Sequence, residues 1–181
     1  VEEVYQLIEN DLKDAAAVLP SVYSSSEDLG RITKGAANAM LASAYLTQKK
    51  YAEAKLALEA VMNDSEAGYQ LLPNFDDVFS LDFQNSKEII FAIQYSSGTG
   101  QEGNGFMNVF GPVNPAADVG LGGGSEHNAP TADLISAYEP GDTRKASTLR
   151  EYVAIETDTV NTPYNRKYMV CLLYTSDAAD E

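Results

Sequence analysis

The sequence predicts an α+β fold that is mostly α-helical, with helical hairpins in its first third and a loop-rich segment with short strands after them. Apolar residues recur at helical spacing within residues 1–66, which indicates amphipathic helices. A polar turn from Gln48 to Lys50 separates two of these stretches and is short enough to require antiparallel neighbours. From Tyr69 onward the helical spacing gives way to short extended patterns and a long stretch rich in glycine, asparagine and proline.

The first element is a helix predicted over residues 1–19 and ended by Pro20. Its apolar stripe consists of Val4, Leu7, Ile8, Leu12, Ala15 and Ala16. This helix is expected to be one neighbour of the hairpin that follows, because a single hairpin cannot bury its own apolar face.

The hairpin predicted over residues 30–64 carries small residues where two helix backbones would come close. Its apolar positions are Ala36, Ala37, Met40, Leu41, Ala44 and Tyr45 on the first helix and Tyr51, Ala54, Leu58, Val61 and Met62 on the second. Ala42 and Ala54 would let the axes approach. Leu41, Tyr45 and Leu58 are expected to fill the seam between them. The pattern is typical of a tetratricopeptide-like unit, although the proline that commonly closes such a unit is absent.

The remaining elements are shorter. Glu88 to Tyr95 mixes β-branched and aromatic side chains with some alternation, which predicts a strand. Residues 96–128 are predicted to be one long loop, and a loop of that length is commonly functional or mobile. A helix is predicted over residues 131–138 and is ended by Pro140-Gly141, and a second strand is predicted over residues 152–155.

Composition and charge exclude one class of partner. The net charge is −15, from 12 lysines and arginines against 27 aspartates and glutamates. This field repels phosphate backbones, and no basic stripe interleaved with aromatic residues offsets it, so no nucleic acid partner is expected. The acidity suits a neutral ligand such as a sugar, or a cation, and it equally serves solubility alone.

No constellation for catalysis or metal binding is found in the sequence. Gly98 to Gly103 has the spacing G-x-G-x-x-G, but the turn signal Asn104-Gly105 and later prolines prevent the helix that a dinucleotide site needs. His127 is the single histidine and is expected to be a surface group, and no two histidines stand at metal-ligand spacing. The carboxylates of residues 76–82 lack the calcium-loop pattern. The chain is therefore predicted to have no catalytic residue, no metal and no cofactor.

Five motifs, in order, resemble those of the SusD/RagB-like proteins. They are DLKDAAAVLP at 11–20, GRITKGAANAMLASAYL at 30–46, KYAEAKLALEAVM at 50–62, EIIFAIQYS at 88–96 and APTADLISAYEPGDTRK at 129–145. The resemblance extends from about Tyr5 to about Tyr168. It implies an ion pair between Asp142 and Arg144 that fixes a turn, and a basic-aromatic step into a further strand at residues 166–168.

The resemblance also implies a function. Such proteins are surface-exposed lipoproteins of the Gram-negative outer membrane that bind a glycan or another nutrient, catalyse nothing, and cap a SusC-like TonB-dependent transporter. Family members are much longer, so the chain is expected to be an internal fragment whose lipid anchor lies outside it. Residues 1–66 would then be a partial helical scaffold and residues 67–170 part of the binding half. The alternative is a tetratricopeptide-type adaptor that binds a peptide or protein in a helical groove.

The long loop carries the candidate ligand-binding residues. Aromatic rings stack on the apolar faces of neutral sugars, while amide side chains bond to hydroxyls. The candidates are Asn104, Phe106, Asn108, Phe110 and Asn114. In an extended segment Phe106, Asn108 and Phe110 would share one face. The two phenylalanines have an alternative role, which is to anchor the loop to the helical scaffold.

Residues 171–181, CLLYTSDAADE, fit neither the preceding pattern nor the family. This string is what a common transposon-type sequencing adapter gives when it is translated in one frame. The hypothesis is that these residues are library read-through and not protein sequence, and native codons in the underlying DNA would contradict it. A frayed acidic tail is the alternative.

Overall fold

The structure is a computed structural model that describes residues 1–94, 109–113, 124–151, 153–155, 158–160 and 162–168. The chain divides into two compact units. Unit 1 contains Val1–Leu72 and Asn85–Gln94, and unit 2 contains Pro73–Gln84 and Tyr95–Glu181. The division into residues 1–66 and 67–170 assigns roles to segments of the chain, and it stays a prediction. The tail at 171–181 lies outside the described residues.

Three helices form the body of unit 1. They are α1 (Glu2–Val18), α2 (Lys34–Thr47) and α3 (Tyr51–Met62). Helix α2 packs against both α1 and α3, and the turn between α2 and α3 includes Lys49 with a positive φ of 61°. The Thr33 side chain caps α2 by accepting a hydrogen bond from the Ala36 amide. The predicted helices and the short turn are confirmed.

The seam between α2 and α3 is lined mainly by small residues. Ala42 and Ala54 are each 1% exposed, as predicted, and Leu41 and Tyr45 are buried beside them. The prediction for Leu58 is wrong, because this side chain is 42% exposed and Ala57 takes the inward position. The inward line of α3 follows Ala54, Ala57 and Val61, and Leu58 is turned away from it by one helical step of about 100°. Met40, Tyr51 and Met62, which were also assigned to the apolar faces, are exposed as well.

Helix α1 is covered only in part. The predicted stripe is half-buried at Leu12, Ala15 and Ala16, and Leu12 packs against the seam cluster. Val4, Leu7 and Ile8 are exposed in the first half of the helix. The buried residue of α1 is instead Glu9, a carboxylate that hydrophobic periodicity does not select.

The strand predicted over Glu88 to Tyr95 is wrong over residues 88–94, and Tyr95 lies outside the described residues. A strand needs a hydrogen-bonded neighbour, and none pairs with this segment in the part of the chain that the structure describes. The backbone turns instead, with the Ile89 amide donating to Ser86. The Glu88 carboxylate accepts a 2.7 Å hydrogen bond from the Leu72 amide. This side-chain contact takes up a backbone donor and helps to hold the segment outside a sheet.

Unit 2 contains short elements. Helices α4 (Ala132–Ala137) and α5 (Arg144–Thr148) are followed by strands β1 (Val153–Ile155) and β2 (Asp158–Val160), which pair antiparallel with Val153 opposite Val160. Single 3₁₀ turns cover Phe75–Phe79, Leu81–Phe83 and Arg166–Tyr168. The predicted helix near 131–138 is confirmed, and the second predicted strand is confirmed at 153–155. The strand predicted to follow 166–168 lies outside the described residues.

The turn before α5 contains the expected ion pair. Arg144 Nη2 lies 2.6 Å from Asp142 Oδ2, and Arg144 Nε donates to Asp142 Oδ1 at 2.9 Å. The guanidinium holds the pKa of the Asp142 carboxyl below its usual value. This bidentate pair confirms the predicted role of the two residues in fixing the turn.

Candidate functional site

A cavity of about 190 Å³ lies within unit 1, beside the start of helix α2. Three segments line it, within residues 21–33, 67–69 and 85–92. The first is the loop between α1 and α2, the second follows α3, and the third is the segment that was predicted to be a strand. The apolar side chains of that third segment, including Ile89 and Ile90, form cavity wall and not a sheet face.

Tyr69 is the wall nearest to helix α2. Its hydroxyl lies 3.3 Å from Thr33 Oγ1, the cap of that helix. Gly35 leaves the space that the Tyr69 ring occupies, because a Cβ at position 35 would overlap the ring and its hydroxyl oxygen. The helix cap, the glycine and the tyrosine therefore form one interdependent group at the cavity wall.

The loop from Asp28 to Arg31 forms another side of the cavity. Arg31 Nε lies 3.0 Å from Asp28 Oδ1, and the Arg31 amide donates to the Asp28 carbonyl. Gly30 between them has φ +88°, a left-handed conformation that glycine adopts without strain. A Cβ there would also overlap the Gln94 side chain. The turn that sets the ion pair at the cavity thus requires glycine.

Polar contacts hold the other segments in place. Asp64 accepts hydrogen bonds from the Glu66 and Ala67 amides, both at 3.1 Å. A hydrogen bond from the buried Ser21 hydroxyl, together with these amides, holds the pKa of the Asp64 carboxyl below its usual value. Lys87 Nζ donates to the Ala67 carbonyl at 2.6 Å. The cavity walls are therefore joined to the end of α3 by hydrogen bonds as well as by packing.

Replacing Gly35 with alanine is expected to displace the Tyr69 ring and to lower the free energy of unfolding by about 1–3 kcal/mol, because the added methyl group overpacks a buried position. Urea unfolding followed by circular dichroism measures the loss. Gly68→Ala is a control for space, since a Cβ there meets no atom closer than 3.7 Å, although its φ of +61° adds strain. An unchanged Tyr69 environment in NMR spectra of Gly35→Ala would contradict the expectation.

The ligand-binding residues predicted in the long loop are mostly outside the part that the structure describes. Asn104, Phe106, Asn108 and Asn114 all lie in the undescribed stretches, and their role stays a prediction. Phe110 is described and is half-buried in unit 2. The structure therefore does not bring the five predicted residues together as a described site.

The two described ends of residues 109–127 are hydrogen-bonded to each other. The Gly124 amide donates to the Pro112 carbonyl and the Glu126 amide to the Gly111 carbonyl, both at 2.9 Å. The His127 amide donates to the Val109 carbonyl at 3.0 Å. A Cβ on Gly124 would overlap the Gly111 backbone, so this close approach requires glycine. We call this arrangement the loop base.

The described residues contain neither a cluster of three or more side chains suited to holding a metal ion nor a helix long and apolar enough to cross a membrane. The His127 side chain is exposed, as the sequence predicts. The cavity was missed because its residues carry no chemical motif. The only local indication of the cavity in the sequence is the pattern Gly30-Arg31 and Thr33-Gly35, which the sequence alone assigns to the start of a helix.

No family model matches the chain. A curated relative, a SusD-like protein of Bacteroides ovatus, is 28% identical over 152 residues, which covers 78% of this chain and 27% of the relative. A crystal structure of a SusD-like protein from Bacteroides fragilis is 32% identical, with a TM-score of 0.61, over 76% of this chain and 27% of that one.

Surface glycan-binding protein A of Bacteroides thetaiotaomicron, solved in complex with laminarihexaose, is similar in fold. Its TM-score is 0.75 at 20% identity, over 92% of this chain and 42% of that protein. The chain thus spans less than half the length of each of these three proteins.

Proposed function

Since the chain belongs to the SusD-like family and spans about a quarter of the length of the SusD-like proteins that it matches, we propose that it is part of a protein that captures a glycan without altering it chemically. Capture takes place at the outer surface of a bacterium. The bound glycan then passes to a SusC-like TonB-dependent transporter of the outer membrane, and a lipid anchor outside these residues holds the protein there.

The observation that carries this proposal is the joint sequence and fold similarity to the SusD-like protein of B. fragilis, at 32% identity and a TM-score of 0.61. The laminarihexaose complex of the B. thetaiotaomicron surface glycan-binding protein supports an oligosaccharide as the ligand class. The net charge of −15 favours a neutral glycan over a polyanionic one.

Within this function, residues 1–66 serve as scaffold and the long loop supplies ligand contacts. Phe106 and Phe110 would stack on sugar rings, and Asn104, Asn108 and Asn114 would bond to hydroxyls. The loop base supports this role for Phe110 and Asn114, which lie between Val109 and His127 in the sequence, because backbone hydrogen bonds hold Val109 and Pro112 against Gly124 and His127.

Calorimetric titration of the chain with laminarihexaose, xylohexaose and maltohexaose tests the proposal. Saturable binding of at least one oligosaccharide is expected. The double variant Phe106→Ser/Asn108→Ala should weaken it about tenfold or more, because stacking and a hydrogen bond are lost together. Phe83→Ala, at an exposed phenylalanine outside the loop, is the matched control and should bind as the wild type does.

Two results would contradict the proposal. Absence of binding to a broad panel of neutral glycans by the folded chain would remove the ligand class. Release of new reducing ends during incubation with polysaccharide would show turnover, and hence an enzyme. Co-purification of the whole protein with a TonB-dependent transporter from outer membranes tests the partner separately.

A further inference from the structure

The cavity of unit 1 has the size of a site for one small ring. Its volume of about 190 Å³ is below the roughly 300–1,000 Å³ of pockets that enclose drug-sized ligands. It is open at a rim where Leu29 and Phe91 are 57% and 44% exposed. Exposed apolar side chains around a concave surface are typical of a ligand site.

The polar groups at this cavity suit two adjacent hydroxyls. Asp28 Oδ1 is paired with Arg31 Nε, whereas Asp28 Oδ2 and both Arg31 Nη groups make no hydrogen bond to any residue that the structure describes. A carboxylate acceptor therefore stands beside guanidinium donors. A hydroxyl both donates and accepts, so a vicinal diol can bond to both members of this pair at once.

The remaining walls suit the apolar face of a sugar ring. Tyr23, Tyr69 and Phe91 contribute aromatic side chains, and Ile89 and Ile90 add aliphatic surface. Aromatic rings carry a large apolar area with a fixed shape, and this matches the C–H face of a pyranose. The lining thus combines polar side chains with apolar surface, and a sugar ring likewise has hydroxyls and C–H faces.

Charge at the cavity disfavours other ligands. The charge of the Arg31 guanidinium is neutralised by Asp28, and Lys87 Nζ donates to the Ala67 carbonyl at 2.6 Å. Both cations at the cavity are therefore already paired, which disfavours an anionic ligand. Asp28 is the single carboxylate among the described residues that line the cavity, so a cation would lack a ligand set. A purely apolar ligand would make no hydrogen bond to Asp28 or Arg31, whose side chains are 32% and 66% exposed.

We propose that this cavity binds one neutral pyranose ring of a glycan, with the Asp28–Arg31 pair bonded to adjacent hydroxyls and the aromatic walls against the ring face. The inference rests on the proposed glycan capture. It adds a second contact point in unit 1, distinct from the loop residues of unit 2 that were predicted from the sequence.

The test is an NMR titration of the full 181-residue chain, labelled with ¹⁵N, with methyl β-D-glucopyranoside, methyl β-D-glucuronide and laminarihexaose. Saturable shifts of the Tyr23, Arg31 and Asn85 amides are expected with the neutral glucoside. Arg31→Met should raise its dissociation constant about tenfold or more, because charge-assisted hydrogen bonds are lost. Arg31→Lys should also weaken binding, since it keeps the charge but loses the planar fork.

Lys55→Met is the matched control, because Lys55 is an exposed cation on α3 whose ion pair with Glu59 is also at the surface. It should bind as the wild type does, and melting curves confirm that every variant is folded. Laminarihexaose binding that is unchanged in Arg31→Met, with no shifts at the cavity, would overturn this inference and leave the proposed function intact. Tighter binding of the glucuronide than of the glucoside would overturn the neutral class. Failure of the wild type to bind any sugar would overturn both proposals.

Discussion

Replacing Lys50 with methionine is expected to lower the melting temperature more than replacing Glu9 with glutamine does. Lys50 Nζ lies 2.6 Å from Glu9 Oε1, and the Glu9 side chain is 6% exposed whereas that of Lys50 is 33% exposed. Loss of the ammonium leaves a buried carboxylate with weaker partners, which are Gln48 at 2.9 Å and Lys13 at 3.6 Å. Glu9→Gln instead leaves a cation that can reach water, so its effect should be smaller.

The same pair gives a dependence on pH. The hydrogen bond from Lys50 holds the pKa of the Glu9 carboxyl below its ordinary value of 4.5. A depressed carboxyl pKa contributes stability that is present above the ordinary value and is lost as pH falls through the folded-state value. Stability of the wild type should therefore decline below pH 4.5, and this part of the decline should be absent in Glu9→Gln.

Thermal melts of the wild type, Lys50→Met and Glu9→Gln, followed by circular dichroism across the acidic range, measure both effects. The control is the double variant Glu9→Met/Lys50→Met, which replaces both charges with apolar side chains and should recover much of the loss seen in Lys50→Met. A melting temperature for Lys50→Met equal to that of the wild type would show that the pair contributes nothing.

Replacing Leu41 with alanine is expected to lower the free energy of unfolding by about 2–5 kcal/mol, as is usual for a leucine in a closed core. Leu41 is buried in the seam between α2 and α3, next to Tyr45 and Ala54. Leu58→Ala is the matched control, because Leu58 is 42% exposed and its truncation should cost less than about 1 kcal/mol.

Chemical denaturation of both variants gives the two free energies. Helical spacing alone assigns both Leu41 and Leu58 to the seam, but the structure buries only Leu41, so the two variants distinguish these alternatives. Equal losses in the two variants would mean that the register of α3 differs from the one described.

Features set by local sequence were predicted well. The apolar spacing and the short Gln48–Lys50 turn gave three helices in the right places, and Ala42 and Ala54 marked the seam. The sequence could not show which residues of α3 face α2, because Ala57 and Leu58 are adjacent and only packing against α2 decides which of them is buried.

Features that depend on distant partners were predicted less well. Glu9 is polar and was not assigned to the core, because its partner Lys50 lies 41 residues away in the sequence. The segment at 88–94 has strand composition, but strand propensity reflects a pleated, half-buried surface with neighbours. Without a neighbouring strand in the described part of the chain, these residues line a cavity instead.

The candidate sites also differ in how far the sequence could predict them. Aromatic and amide residues of the long loop are visible as composition, and they were selected on that basis alone. The cavity combines residues from three separate segments, such as Arg31, Tyr69 and Asn85, and no spacing rule connects them. The one local sign of the cavity is glycine at positions 30 and 35. Each glycine leaves room for a side chain that is distant in sequence, and only the three-dimensional structure identifies that side chain.

The loop base has a consequence for which of its side chains can change. Its bonds run between main-chain atoms of Val109, Gly111 and Pro112 on one side and Gly124, Glu126 and His127 on the other. Main-chain hydrogen bonds do not depend on most side-chain identities, although position 124 requires glycine because a Cβ there would overlap the Gly111 backbone. The side chains at most of the other positions can therefore vary without loss of these hydrogen bonds.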